Sequence, residues 1–175
     1  RYLHRSKANK VLLKFDIARA FDVVSWPFLL DVMRHLGFGR RWCEWIYILL
    51  ATASTRILLN GVPGCHIYHA KGLRQGDPVS PMLFTLVIDA LNSLMLHAML
   101  TGLLRRLSPN LATPSVSLYA DDVAIFCHPS MDQLLAVRAI LQVFGHATGL
   151  HTNFASALQP PTTVPTPRRQ MCRPF

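Results

Sequence analysis

The chain has 175 residues, 51% of them hydrophobic, with 18 Lys and Arg against 9 Asp and Glu and a formal net charge of +9. That length and apolar content exclude a disordered polymer and fit one domain with a real core. The basic excess favours a polyanionic partner, either nucleic acid or an anionic membrane. Glu44 is the one Glu among the acids, so the position of each Asp is informative.

Residues 1 to 10 are basic and without period, and read as the end of something cut off upstream. Val11 to Asp16 is a strand-like run that ends in a carboxylate, followed by a compact bend through Phe21 and Asp22. Ser25 is a good helix cap and Pro27 suits the first turn. Phe28, Leu29, Val32, Met33 and Leu36 then recur at helical spacing until Gly37. A second helix is predicted from about Arg40 to Ala51, with Trp42, Trp45, Ile46, Leu49 and Leu50 buried. Such a stripe could pass for a ligand box, but core packing explains it more simply.

Thr55 to Leu59 reads as a strand, Asn60-Gly61 as a hairpin signal, and His66 to Ala70 as the returning strand. Lys71 to Val79 holds two Gly and a Pro, an irregular basic loop. Ser80 is expected to cap a helix with Pro81 at its first position, running to about Leu100. The stretch Pro81 to Leu100 is very apolar, yet it carries Asp89, Asn92 and His97. A buried helix is therefore expected rather than a membrane span.

Val116 to Leu118 and Val123 to Phe126 are apolar runs on either side of Tyr119-Ala120-Asp121-Asp122, which reads as strand, tight turn, strand. Adjacent carboxylates repel, and a divalent cation would offset that repulsion; an Asp-rich turn with no ligand is the plainer alternative. Ser130 and Gln133 are expected to form a capping box for a helix through about Ala147, carrying Leu134, Val137, Leu141 and Phe144 on one side and closed by Gly149. From Gln159 onward five prolines mark a disordered tail. The whole pattern predicts an α+β fold, an antiparallel sheet with helices packed on one face. Cys43, Cys65, Cys127 and Cys172 match no zinc spacing and suggest no disulfide framework, so a reducing intracellular setting is expected.

If the strands ending at Asp16 and at the Asp pair are neighbours, their carboxylates converge. Such a cluster can hold two magnesium ions about 3.5–4 Å apart and suits nucleotidyl transfer. The segments Phe15-Asp16-Ile17-Ala18-Arg19-Ala20-Phe21-Asp22, Gly72-Leu73-Arg74-Gln75-Gly76-Asp77-Pro78-Val79-Ser80-Pro81 and Tyr119-Ala120-Asp121-Asp122 occur in that order. Together they resemble the three central motifs of reverse transcriptases, with wording similar to non-LTR retrotransposons of the long interspersed type, especially those of plants.

The resemblance implies a polymerase palm over residues 11–156 with partial fingers, of which 1–10 would be a truncated remnant, no thumb, and a Pro-rich tail at 157–175. It implies an RNA-directed DNA polymerase that extends a primer 3′ end with deoxynucleotides. Asp16, Asp121 and Asp122 would be the catalytic metal ligands for two Mg2+ or Mn2+ ions. Phe21 would be the steric gate under the incoming sugar. Gly72, Arg74, Gln75, Gly76 and Tyr119 would touch template or nucleotide, and Lys14 and Lys71 are further phosphate contacts. Asp22, Asp77 and Asp89 are read as structural. The expected partners are an RNA template, a DNA primer and deoxynucleoside triphosphates, with no membrane, and a working element would act in the nucleus. Gly149 to Ser156 resembles the next motif, but Ala155 stands where a lysine is expected. A catalytically inactive retrotransposon remnant that at most binds nucleic acid is therefore the alternative reading. A palm-type nucleotide cyclase is a poorer one, since it gives the Gln75 loop no purpose.

Overall fold

The computed structural model describes residues 11–17, 19–106, 116–119 and 122–152. The 1–10 remnant, Asp121, Ala155 and the Pro-rich tail lie outside the described residues. Strand β1 (Val11–Asp16), β6 (Val116–Tyr119) and β7 (Asp122–Cys127) form an antiparallel sheet in the order β1-β7-β6. Between them run α1 (Trp26–His35), α2 (Arg40–Ala51), the short strands β2 (Ser54–Thr55), β3 (Leu58–Leu59), β4 (Val62–Pro63) and β5 (Ile67–Tyr68), and α3 (Ser80–Leu100); α4 (Met131–Thr148) follows β7.

Alternation along the strands gives the sheet one dry face. Leu13, Phe15, Val123, Ile125 and Cys127 are buried, whereas Leu12, Lys14 and Asp16 between them are exposed. Side chains alternate faces along a strand, so the helices can cover only one side. They share one core with it: Leu29 and Met33 of α1, Val87 and Leu91 of α3, and Val137, Leu141 and Phe144 of α4 are almost wholly buried. Burial also pushes the Cys127 thiol up from its ordinary pKa, which suits a core side chain rather than a nucleophile.

Several local expectations shift. In α2 only Cys43, Ile46 and Leu50 are buried; Trp42, Trp45 and Leu49 lie on the outer face, 47%, 51% and 49% exposed. The apolar stripe is wider than the core it meets, so the excess faces outward. The strand expected at Thr55 to Leu59 breaks in two. β3 and β4 form the hairpin at Asn60-Gly61, and β2 pairs with β5 below it, Ser54 opposite Tyr68.

Two caps also differ. Ser80 is a buried first helical residue, and Asp77 takes the terminal role instead, its Oδ1 accepting from Val79 N at 2.8 Å. Gln133 forms no capping box. It is buried, accepts from Arg105 N at 2.8 Å and donates to the Leu103 carbonyl at 3.1 Å. A buried amide that can saturate two backbone groups of a crossing segment gains more there than at an exposed helix end. Finally, α3 is long and apolar enough to cross a membrane by length and composition. Leu83, Phe84, Val87, Ile88, Leu91, Met95 and Ala98 join the core, while Met82, Leu96 and Leu100 remain exposed.

Candidate active site

The site begins at the open end of the sheet. β1 and β7 pair in a register that sets Phe15 opposite Val123 and Asp16 opposite Asp122. Residues directly opposed in an antiparallel pair have Cα atoms about 4.5–5.5 Å apart. Like charges so placed are destabilising by themselves. Asp16 is exposed, on the face that the helices leave uncovered. Tyr119 is opposed to Asp122 on the other side, so β6 and β7 are joined through residues 120 and 121. Asp121 itself falls outside the described residues.

The second component is the glycine-rich loop. It is stitched to the bend after β1 by three hydrogen bonds: Gly72 N to the Val24 carbonyl at 2.8 Å, Leu73 N to the Phe21 carbonyl at 2.6 Å, and Trp26 Nε1 to the Gly72 carbonyl at 2.6 Å. Gly72 has a φ of +85°, and a Cβ there would lie 2.5 Å from the Asp22 carbonyl oxygen. Only a residue without a side chain permits both the conformation and the approach. Gly76 shares the left-handed backbone but has open space around it.

These contacts bring the two motifs to one cleft of about 460 Å³, walled by Asp16, Arg19, Phe21, Arg74, Gln75 and Gly76 among others. Phe21 is half-buried and stacks on Phe84 of α3, ring centroids 4.7 Å apart, so one side of its ring is fixed by packing. Gln75 Nε2 donates to Asp22 Oδ1 at 3.2 Å. Asp22, read from sequence as structural, thus orients Gln75 within the cleft. The spacing of Asp22 after Asp16 gave no sign of that partner. Arg74, Gln75 and Ser80 also wall a larger adjoining cavity of about 820 Å³ that contains Arg56 and Lys71.

The end of α4 closes the back of the site. Ser25 N donates to the Thr148 carbonyl at 2.8 Å, Ile17 bridges Thr152, and Gly149 sits against the Val23 carbonyl too closely to admit a Cβ. Residues 149–152, the described part of the segment that resembles the family's next motif, thus buttress the bend after Asp16.

Carboxylate oxygens are hard donors that suit magnesium or manganese. Asp16 is exposed and stands opposite Asp122 in the strand register, residue types that fit a divalent ion; among the described residues no group of three or more His, Cys, Asp or Glu forms.

Comparisons with known proteins identify the family and the fold. A family model described as reverse transcriptase (RNA-dependent DNA polymerase) matches residues 1–155. The chain is 39% identical over 80 residues, 46% of its length, to the retrovirus-related Pol polyprotein from type-1 retrotransposable element R2 of Popillia japonica, covering 13% of that protein. It is 26% identical over 156 residues, 89% of its length, to the transposon TX1 uncharacterized 149 kDa protein of Xenopus laevis, covering 12% of that protein. It therefore spans about an eighth of these relatives. Among solved structures, telomerase from Candida albicans in complex with a fragment of telomeric RNA superposes with a TM-score of 0.65 at 14% identity, over 91% of this chain and 28% of that one. Apo telomerase from Candida tropicalis gives 0.63 at 14% identity, over 86% and 31%. At that identity the likeness speaks for the fold alone. The mixed sheet-and-helix fold and the match over nearly the whole chain lead to one conclusion: this chain belongs to the reverse transcriptase (RNA-dependent DNA polymerase) family.

Proposed function

We propose that the chain is the palm-centred part of an RNA-directed DNA polymerase from a non-LTR retrotransposon, adding deoxynucleotides to a primer 3′ end on an RNA template. The observation that carries this reading is the register of β1 and β7, which sets Asp122 opposite Asp16, a wall of the cleft that Gln75 also lines. Asp16, Asp121 and Asp122 would hold two divalent ions. When bound, such ions supply a lowered pKa for the attacking hydroxyl and charge neutralisation at the leaving phosphate. The chain's own residues do the rest. Arg74 offers charge to a phosphate, Gln75, fixed by Asp22, offers a polar edge beside the template, and Tyr119 is paired in register with Asp122. The ring of Phe21, held by Phe84, limits the space beneath the sugar.

Primer extension on an RNA template tests the reading directly. Wild type is expected to incorporate deoxynucleotides and Asp121→Ala is not; incorporation that survives the substitution would remove the carboxylates from the mechanism. Extension by neither chain would favour the inactive remnant that the alanine at 155 also favours, since a lost general acid commonly costs about 10²- to 10⁴-fold. Phe21 gives a sharper, smaller test. Phe21→Val is expected to shift the preference for deoxy- over ribonucleotides by about 10- to 100-fold, the range available to a single apolar contact. Competition between dGTP and GTP measures it, and an unchanged ratio would return Phe21 to the core.

A further inference from the structure

α2 presents an outer face that the other described residues leave uncovered. Its inner side, Cys43, Ile46 and Leu50, satisfies the core, yet Trp42, Trp45 and Leu49 form a second stripe facing out. Packing among the described residues does not account for exposed tryptophans one turn apart. They are also ordered: Trp42 and Trp45 meet edge to face at 6.0 Å, and the Arg41 guanidinium lies 4.9 Å from the Trp45 ring centroid. We infer that this face is a stacking platform for the unpaired polynucleotide template as it approaches the cleft, an inference that rests on the polymerase reading above.

Continuity and charge select that occupant. Leu49, on the same stripe, is also a wall of the 820 Å³ cavity, which Arg56, Lys71, Arg74 and Gln75 line as well. Arg74 and Gln75 in turn border the cleft of Asp16. Basic side chains thus line the way from Leu49 of the stripe to the cleft of Asp16. The one acid of α2, Glu44, is held by Arg40 at 2.8 Å. Asp77 in the cavity wall accepts from Val79 N and Asp22 from Gln75. The surplus is cationic, and rings with an interleaved guanidinium suit bases and phosphates together. A bilayer could meet the stripe but could not enter the cavity that continues it, and an apolar protein partner would leave the arginines without a counter-charge.

The test uses the full chain and a short unstructured single-stranded RNA, read by anisotropy and by tryptophan quenching. Trp26 lines the cavity itself, so the variant Trp42→Phe/Trp45→Phe, which leaves Trp26 as the one tryptophan, supplies the baseline for quenching. Trp42 and Trp45 are expected to be quenched, and the double variant Trp42→Ala/Trp45→Ala to bind about 30-fold more weakly, with Phe at both positions restoring most of the affinity. Arg41→Ala should lower the salt slope by about one. In primer extension, the KM defect of the double variant should grow with the length of unpaired template. RNA affinity unchanged in a double variant that keeps the wild-type circular dichroism and Tm overturns the inference. So does a dimer of the wild type that the substitutions dissolve without affecting RNA, or capture by anionic vesicles in place of RNA. If extension fails while quenching and the 30-fold loss persist, the polymerase reading falls and the platform stands; extension without quenching gives the reverse.

Discussion

Gly72→Ala is expected to destabilise the chain by about 2–5 kcal/mol, whereas Gly76→Ala costs only about 1–2 kcal/mol. Both glycines have φ near +85°, and an L-residue in that region costs about 1–2 kcal/mol. The difference lies in what a Cβ would meet. At Gly76 nothing is within 4 Å; at Gly72 the Asp22 carbonyl oxygen, carbon and Cα stand at 2.5, 2.8 and 3.0 Å. Overlap with backbone cannot be relieved by a rotamer change, so the loop or the bend must move, at a further cost of about 1–3 kcal/mol. Either movement disturbs the bonds from Gly72 and Leu73 to Val24 and Phe21, and with them the Asp22–Gln75 contact. Urea unfolding measures the two variants side by side. Equal losses would mean that the close approach of loop and bend does not exist in solution. Nucleotide affinity should fall further for Gly72→Ala than for Gly76→Ala, because only the first moves Asp22.

The difference between these glycines shows what was legible in the sequence. Both stood in one motif, and both announced a turn. Nothing in the wording said which would be pressed against a backbone 50 residues earlier, because that is fixed by tertiary contact. The strands around Asp16 and Asp122 were legible for the opposite reason. Alternation of apolar and polar residues is a local signal, and it set both the buried face and the exposed carboxylate end. Helix stops were legible at Gly37 and Gly149 on the same grounds. Caps were less so: Ser80 and Gln133 have the right chemistry for helix ends, but each found a position elsewhere, Ser80 inside the helix and Gln133 across the 103–105 segment. The outward tryptophans of α2 escaped because apolar periodicity gives the width of a stripe and not the width of the core that meets it.

Asp16→Asn should lower primer extension by about a thousand-fold and at the same time make the metal-free chain more stable. The two effects share one cause. Opposed at the ends of β1 and β7, Asp16 and Asp122 place like charges across a strand pair, a penalty of about 0.2–1 kcal/mol. Asn keeps the shape and removes one charge, so in EDTA the variant should unfold at a higher urea concentration than wild type. Magnesium reverses the order. An ion bound by the native carboxylates stabilises wild type by mass action, about 2.7 kcal/mol at a hundred times its dissociation constant, and stabilises the variant less. Activity moves with the magnesium response, since about 4 kcal/mol of lost transition-state stabilisation is about a thousand-fold in rate. A crossing of the two stability curves with added magnesium is therefore the signature of a site whose local instability serves ion binding. If wild type is the more stable chain in EDTA and neither responds to magnesium, the opposed carboxylates are not held apart for a cation. Asp16 would then be a polar strand end in a fold that has kept the architecture of a polymerase without its chemistry.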